Sequence, residues 1–75
     1  MNEARRKQIQ QALALIEQAK GILEAALAQE QEDFENMPED LRNDETGQTA
    51  EDAIDALERA VTCCDDAMSA CEEAL

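Results

Sequence analysis

Carboxylates and thiols are the side chains of this 75-residue sequence with the chemistry for a functional site. The chain holds 19 Asp and Glu residues, no His and a single serine, Ser69. Eight of the acids lie along the last third of the chain, at Glu51, Asp52, Asp55, Glu58, Asp65, Asp66, Glu72 and Glu73. Carboxylate pairs act as general acid and base only on the two sides of a substrate cleft. Because a small chain rich in Ala offers no such cleft, we expect a binding surface and not an enzyme.

The three cysteines, Cys63, Cys64 and Cys71, do not form the pattern of a metal or disulfide site. A structural zinc site uses four ligands at short spacing, and the stretch 43–54 has the wrong acid spacing for a calcium loop. Cys64 and Cys71 are one heptad apart, about 10.5 Å along a helix, which exceeds the reach of a disulfide. We therefore expect no metal, no cofactor and reduced thiols, with Cys63 able to form an intermolecular bridge on oxidation.

The acids and cysteines lie on a repeat of seven residues that starts at Ala50: AEDAIDA, LERAVTC, CDDAMSA, CEEAL. The first and fifth places are apolar, at Ala50, Leu57, Cys64, Cys71 and at Ile54, Val61, Met68, Leu75. The second place, termed the acidic column, holds Glu51, Glu58, Asp65 and Glu72, and the fourth place holds Ala53, Ala60, Ala67 and Ala74. A seven-residue apolar repeat predicts a helix that packs against another helix as in a left-handed coiled coil.

The first half of the chain predicts the partner helix. Its apolar stripe consists of Ile9, Leu13, Ile16, Leu23, Leu27 and Phe34, with Lys20 and Glu30 at the two remaining stripe positions. Asn2 is a suitable N-cap, and Pro38 can open a short helical turn within the connection. Thr49, or else Asp44, caps the following helix. We predict a single all-α domain over residues 1–75, an antiparallel two-helix hairpin with a coiled-coil-like, alanine-rich seam: helix 1 about 3–35, connection about 36–48, helix 2 about 49–75.

Small residues beside the seam, and apolar residues outside it, predict further contacts between helices. Helix 1 has an alanine every seven residues, at Ala12, Ala19 and Ala26, which we expect to face the alanines of helix 2, and Gly21 is expected to mark a close approach. In the antiparallel register that we expect for the two helices, Leu23 pairs with Leu57. Off the seam lie Leu15 and Ile22 on helix 1 and Ala56, Cys63 and Ala70 on helix 2. This second apolar edge predicts a homodimer that forms a four-helix bundle, or alternatively a face that binds a partner.

The net charge of −13 is distributed unevenly. Residues 1–20 contain four bases and two acids, whereas residues 21–75 contain two bases and 17 acids. Such a surface repels nucleic acid and anionic membranes and attracts basic protein surfaces. We recognise no signal peptide and no apolar run long enough to cross a membrane, so the expected location is the cytoplasm.

Three segments of the sequence resemble those of small acidic proteins encoded in bacteriophage and prophage genomes. They are the EARRK start at Glu3–Lys7, the FENMP turn at Phe34–Pro38, which is the most specific, and the second-helix segment Asp52–Leu57. The group has no settled activity, so the resemblance transfers no site residues. It implies a phage context, in which small acidic proteins block host defence machinery, including CRISPR complexes, by covering nucleic-acid-binding surfaces.

Two functions follow as expectations. In the first, the eight acids imitate phosphates and inhibit a basic host protein, such as a nucleic-acid-binding or CRISPR-like defence complex. From Asp44 to Leu75 there are ten acids, one per ~5 Å of helix, against one phosphate per ~1.7 Å of duplex axis, which favours mimicry of one strand. In the second, the chain is a dimeric coiled-coil scaffold or adaptor in phage assembly. A competing binding site is the connection, where Phe34, Met37 and Leu41 are candidate hydrophobic anchors.

Overall fold

Two long helices and one short helix make up the computed structural model, which describes residues 1–75. Helix α1 spans Glu3–Glu35, α2 spans Glu39–Arg42 and α3 spans Glu45–Ala74. Helices α1 and α3 pack side by side as a hairpin, while α2 lies in the turn and contacts α3. The resulting rod measures 58 × 14 × 12 Å between its Cα extremes. The all-α hairpin predicted from the heptad repeat is confirmed.

The seam between α1 and α3 contains the side chains that the repeat predicts. Ile9, Leu13, Ile16, Leu23, Leu27, Ile54, Leu57, Val61, Cys64 and Met68 are all half-buried, as are Phe34, Lys20 and Glu30. Only Gly47 and Ala50 are buried. Because each helix can cover only one stripe of the other, the hairpin has a seam and no enclosed core.

Side-chain caps set where the two long helices begin. The carboxamide oxygen of Asn2 accepts from the backbone N–H of Arg5 at 2.8 Å, which confirms the predicted N-cap. A carboxylate oxygen of Asp44 accepts from the N–H of Thr46 at 2.8 Å, so α3 begins at Glu45. The start expected near Thr49 is therefore wrong. The Thr49 hydroxyl instead donates to the carbonyl oxygen of Glu45 at 3.0 Å, inside the helix.

The connection consists of residues 36–44, which include α2, and is therefore shorter than the predicted 36–48. Arg42 holds it together: its Nη2 donates to the carbonyl oxygens of Glu35 at 3.2 Å and Met37 at 3.1 Å. The Arg42 guanidinium also lies 5.8 Å from the centroid of the Phe34 ring. Carbonyls at a helix C-terminus have no partner within the helix, so this arginine satisfies the end of α1 and joins it to α2.

The close approach of two backbones lies at Gly47 and not at Gly21. A Cβ built on Gly47 would lie 1.9 Å from the carbonyl oxygen of Arg42, a distance that no side chain can occupy. A Cβ built on Gly21 would meet nothing within 4 Å. The expectation that Gly21 marks the approach of the two long helices is therefore wrong. The tight contact is between the end of α2 and the first turn of α3.

The two alanine series are covered unequally. On α3, Ala53, Ala60 and Ala67 are half-buried, whereas on α1 only Ala12 is half-buried and Ala19 and Ala26 are exposed. The sizes of the seam residues can account for the difference, because α1 contributes mostly Ile and Leu, which are long enough to cover alanines of the facing helix. The first heptad place on α3 holds small residues such as Ala50 and Cys64, which extend less far over α1.

Candidate acidic interface

The acidic column runs along the flank of α3, beside the seam. Its four members, together with Asp52, Asp55, Asp66 and Glu73, are all exposed. Successive members of the column are one heptad apart and therefore rise by about 10.5 Å along the helix. The eight predicted site residues thus form one elongated acidic strip on a single rigid element.

Three of the eight acids have partners within the chain. Asp52 accepts a hydrogen bond from the Gln48 amide at 3.0 Å, and the Asp55 carboxylate lies 3.3 Å from Nε of Arg59. Asp65 forms an ion pair with Lys20 of α1. The carboxylates of the remaining five have no hydrogen bond or ion pair within the chain: Glu51, Glu58, Asp66, Glu72 and Glu73. A partner protein can bind these five acids without breaking an interaction within the chain.

The ion pair between Lys20 and Asp65 crosses the seam. A helical side chain slants toward the N-terminus of its own helix, so Lys20 of α1 extends toward the C-terminal half of α3, where Asp65 lies. The hydrogen bond to Asp65 raises the pKa of Lys20 above its ordinary value of 10.5, opposed by partial desolvation and reinforced by Glu24. Glu24 of α1 therefore lies on the same side of the hairpin as the acidic column.

The Lys20–Asp65 pair predicts a loss of stability in alkali. A lysine whose folded-state pKa is raised stabilises the folded state below its unfolded pKa, and this contribution disappears as pH rises through the folded value. We expect the parent to be more stable than Asp65→Asn at about pH 9, and the difference to vanish above the raised lysine pKa, which exceeds 10.5. Urea unfolding of both chains from about pH 8 to 12 measures it. A constant difference across this range would contradict the assignment.

The competing site in the connection is partly used by the fold. Phe34 and Met37 are half-buried, and the Phe34 ring carries the Arg42 guanidinium. Leu41 is the most accessible of the three, at 43% exposed. Replacing Phe34 would therefore disturb the turn as well as any binding there, and Leu41→Ala is the cleaner probe of this site.

The turn end of the rod is more acidic than the strip on α3, a feature that attention to the heptad repeat overlooked. Eight acids lie within residues 30–45, at Glu30, Glu32, Asp33, Glu35, Glu39, Asp40, Asp44 and Glu45, beside a single base. The density is visible in the sequence as a run of charge. At the opposite end the first turns of α1 carry Arg5 and Arg6 and the last turn of α3 carries Glu72 and Glu73, with no ion pair between them. The rod is therefore acidic at the turn and mixed in charge at the open end.

The surface shows little geometry suited to a ligand pocket or a metal site. One open, shallow depression lies on the outer side of α3, lined by Asp55, Glu58, Arg59, Thr62 and Cys63. No three carboxylates and thiols converge on a point where a metal ion would bind. All three cysteines are free thiols, and Cys63 is exposed. None of the helices combines the length and apolar character required to span a membrane.

Comparison of the chain with protein families, with curated proteins and with solved structures finds no match in any of the three.

Proposed function

We propose that this chain is a non-catalytic acidic binding protein of phage or prophage type, which acts in the host cytoplasm. It inhibits a host nucleic-acid-binding or defence complex of the CRISPR kind by occupying the basic groove that holds nucleic acid. The observation that supports this function best is the strip of exposed acids on α3, most of which have no partner within the chain. Unpaired surface charge of one sign is the property that steers association with a surface of opposite sign.

The dimensions of the strip suit a groove for a single strand. The acids lie on one side of a helix of 30 residues, within a rod whose Cα trace is 14 Å by 12 Å in cross-section. From Asp44 onward the density of one acid per ~5 Å is about a third of the phosphate density of duplex DNA. A basic groove that follows one phosphate backbone is therefore a better fit than one that encloses a duplex.

The test is competition for a nucleic-acid site. A purified CRISPR effector complex is mixed with labelled target DNA and increasing amounts of this chain, and DNA binding is followed by fluorescence anisotropy at about 50 mM and 500 mM NaCl. We expect DNA to be displaced at low salt and retained at high salt, because surface charge is screened within about 10 Å at 0.1 M salt. Unchanged DNA binding at every ratio, with effectors of several types, would overturn the proposal.

The second candidate function is a dimeric coiled-coil scaffold or adaptor in phage assembly. The observation that favours it is apolar: Leu15 and Ile22 remain 58% and 67% exposed on α1. A contact built on such residues responds weakly to salt. Binding to a phage structural protein that persists at 500 mM NaCl would support the scaffold over the inhibitor.

A further inference from the structure

One side of the hairpin carries no charge over most of its length. This uncharged face lies opposite the acidic column. On α1 it consists of the heptad column that contains Ala12 and the heptad column that contains Leu15. On α3 it consists of the column of Ala53, Ala60 and Ala67 and the column of Ala56, Cys63 and Ala70. Between Arg5 and Asp33 on α1, and from Thr46 to Ala74 on α3, these columns hold only Ala, Gln, Thr, Cys, Leu and Ile. In a chain that is 33% charged, this uncharged face shares with the core of a protein interface its depletion of charged residues.

The accessible area of the chain indicates how large the missing contact is. The chain exposes 5456 Å², whereas a monomer of its mass, 8.3 kDa, is expected to expose about 4,600 Å². A standard interface buries about 800 Å² on each partner. The excess is therefore of the size that one such interface would remove, and Leu15 and Ile22 are the large apolar side chains on this face that it would cover.

The uncharged face is self-complementary about Ala19. In the column Arg5, Ala12, Ala19, Ala26, Asp33, a two-fold axis at Ala19 places Arg5 opposite Asp33 of a second copy and Ala12 opposite Ala26. The same axis brings Leu15 to within one residue of Ile22 in the second copy. An isologous interface has this property, since each contact then occurs twice. The alanines let the two α1 helices approach closely.

The charges at the ends of α1 favour the same arrangement. Arg5 lies at the helix N-terminus and Asp33 in the last turns, the opposite of what the helix dipole favours. Antiparallel rods bring the bases near Arg5 of one copy beside the acidic turn of the other. Rods aligned the same way would place two acidic turns together, which costs energy at net charge −13 per chain.

We propose that the uncharged face binds a second copy of this chain, with α1 antiparallel to α1 of the other copy about an axis at Ala19. The product is a four-helix bundle with an acidic strip on each outer surface. Because it rests on the face opposite the strip, this proposal is independent of what the strip binds.

The first test changes the apolar centre of the face. The parent is expected to sediment as a dimer at about 50 μM, and Leu15→Glu/Ile22→Glu as a helical monomer, with a dimer dissociation constant at least ~100-fold larger, since both charges would be desolvated in the interface. Ala28→Glu, on an exposed position on the opposite side of α1 from Leu15 and Ile22, is the control and is expected to remain dimeric. A monomeric parent at this concentration, or a double variant that dimerises like the parent, would overturn the proposal.

The second test fixes the orientation through a charge exchange. Arg5→Asp and Asp33→Arg should each raise the dimer dissociation constant ~10-fold at low salt, because each creates two like-charge pairs in place of two ion pairs. The double variant should return to within ~3-fold of the parent. Asp33 also accepts a hydrogen bond from Gln29 at 2.9 Å, but the double variant lacks that bond too, so its recovery reports the exchanged pair.

Both single exchanges improve the match with the helix dipole, so helicity measured by circular dichroism should be retained while dimerisation weakens. Single variants that dimerise as tightly as the parent, or a double variant that does not recover, would reject the antiparallel arrangement at Ala19.

Discussion

Gly47→Ala is expected to destabilise the hairpin by about 1–3 kcal/mol, although the same exchange inside a helix ordinarily stabilises it. The reason is the backbone of Arg42, whose carbonyl oxygen lies 1.9 Å from the position of the new Cβ. The oxygen belongs to the main chain at the end of α2, so relief requires moving α2 away from α3 and with it the Arg42 contacts to Glu35 and Met37. Thermal unfolding followed by circular dichroism should show a midpoint lower by roughly 5–20 °C.

Gly21→Ala is the matched control, because it places the same methyl group in the other glycine of the chain. The Cβ of residue 21 would meet nothing within 4 Å, so the only effect is the gain in helix propensity, about 0.5–1 kcal/mol of added stability. The two substitutions are expected to shift the unfolding midpoint in opposite directions. A stabilised Gly47→Ala variant would show that α2 and α3 are farther apart than described here.

Reversal of two acids on the strip, in Glu51→Lys/Glu58→Lys, is expected to weaken inhibition of a susceptible effector complex by at least ~10-fold. Both side chains are exposed and have no partner within the chain, so the fold should be retained or slightly stabilised as self-repulsion falls. The loss should appear mainly as slower association, since charges at the rim of an interface act on the encounter rate. Surface plasmon resonance with the immobilised effector measures the association and dissociation rates. Asp65 is unsuitable for this purpose because its reversal would also break the pair with Lys20.

Glu32→Lys/Glu35→Lys is the control for total charge. It changes the net charge by the same amount from −13, on exposed positions of α1 outside the strip. We expect it to inhibit nearly as well as the parent. Equal weakening by both pairs would mean that net charge, and not the strip, determines binding. Loss of inhibition only in Leu41→Ala would move the site to the connection.

Much of the fold can be predicted from local patterns in the sequence, namely its apolar period and its helix caps. The seven-residue repeat predicts which side chains line the seam, and those residues are buried or half-buried apart from the C-terminal Leu75, which is exposed. Lys20 and Glu30, the polar residues that interrupt the stripe on α1, are half-buried as well. The N-cap at Asn2 is likewise a local interaction over three residues. Periodicity and capping depend on near neighbours in the chain, so no tertiary information is needed to predict them.

The turn could not be predicted in the same way. Thr49 and Asp44 both have capping chemistry, and the choice between them depends on where α2 lies. Asp44 begins α3 in a structure where Gly47 lets α3 approach Arg42, and Arg42 in turn binds the carbonyls at the end of α1. These contacts join residues from three elements, and none has a sequence pattern of its own.

The sequence by itself determined the helical hairpin, the composition of its seam and the single acidic strip on α3, because each depends on a period along one helix. The tertiary structure decided which glycine is sterically required, which alanines are covered and which acids are already paired. Those properties depend on distances between helices, and the distances are set by how far the seam side chains reach across. Lys20 is the clearest case: its position in the repeat predicts an interruption of the seam, and only the packed pair shows that it reaches Asp65 and takes one acid out of the strip.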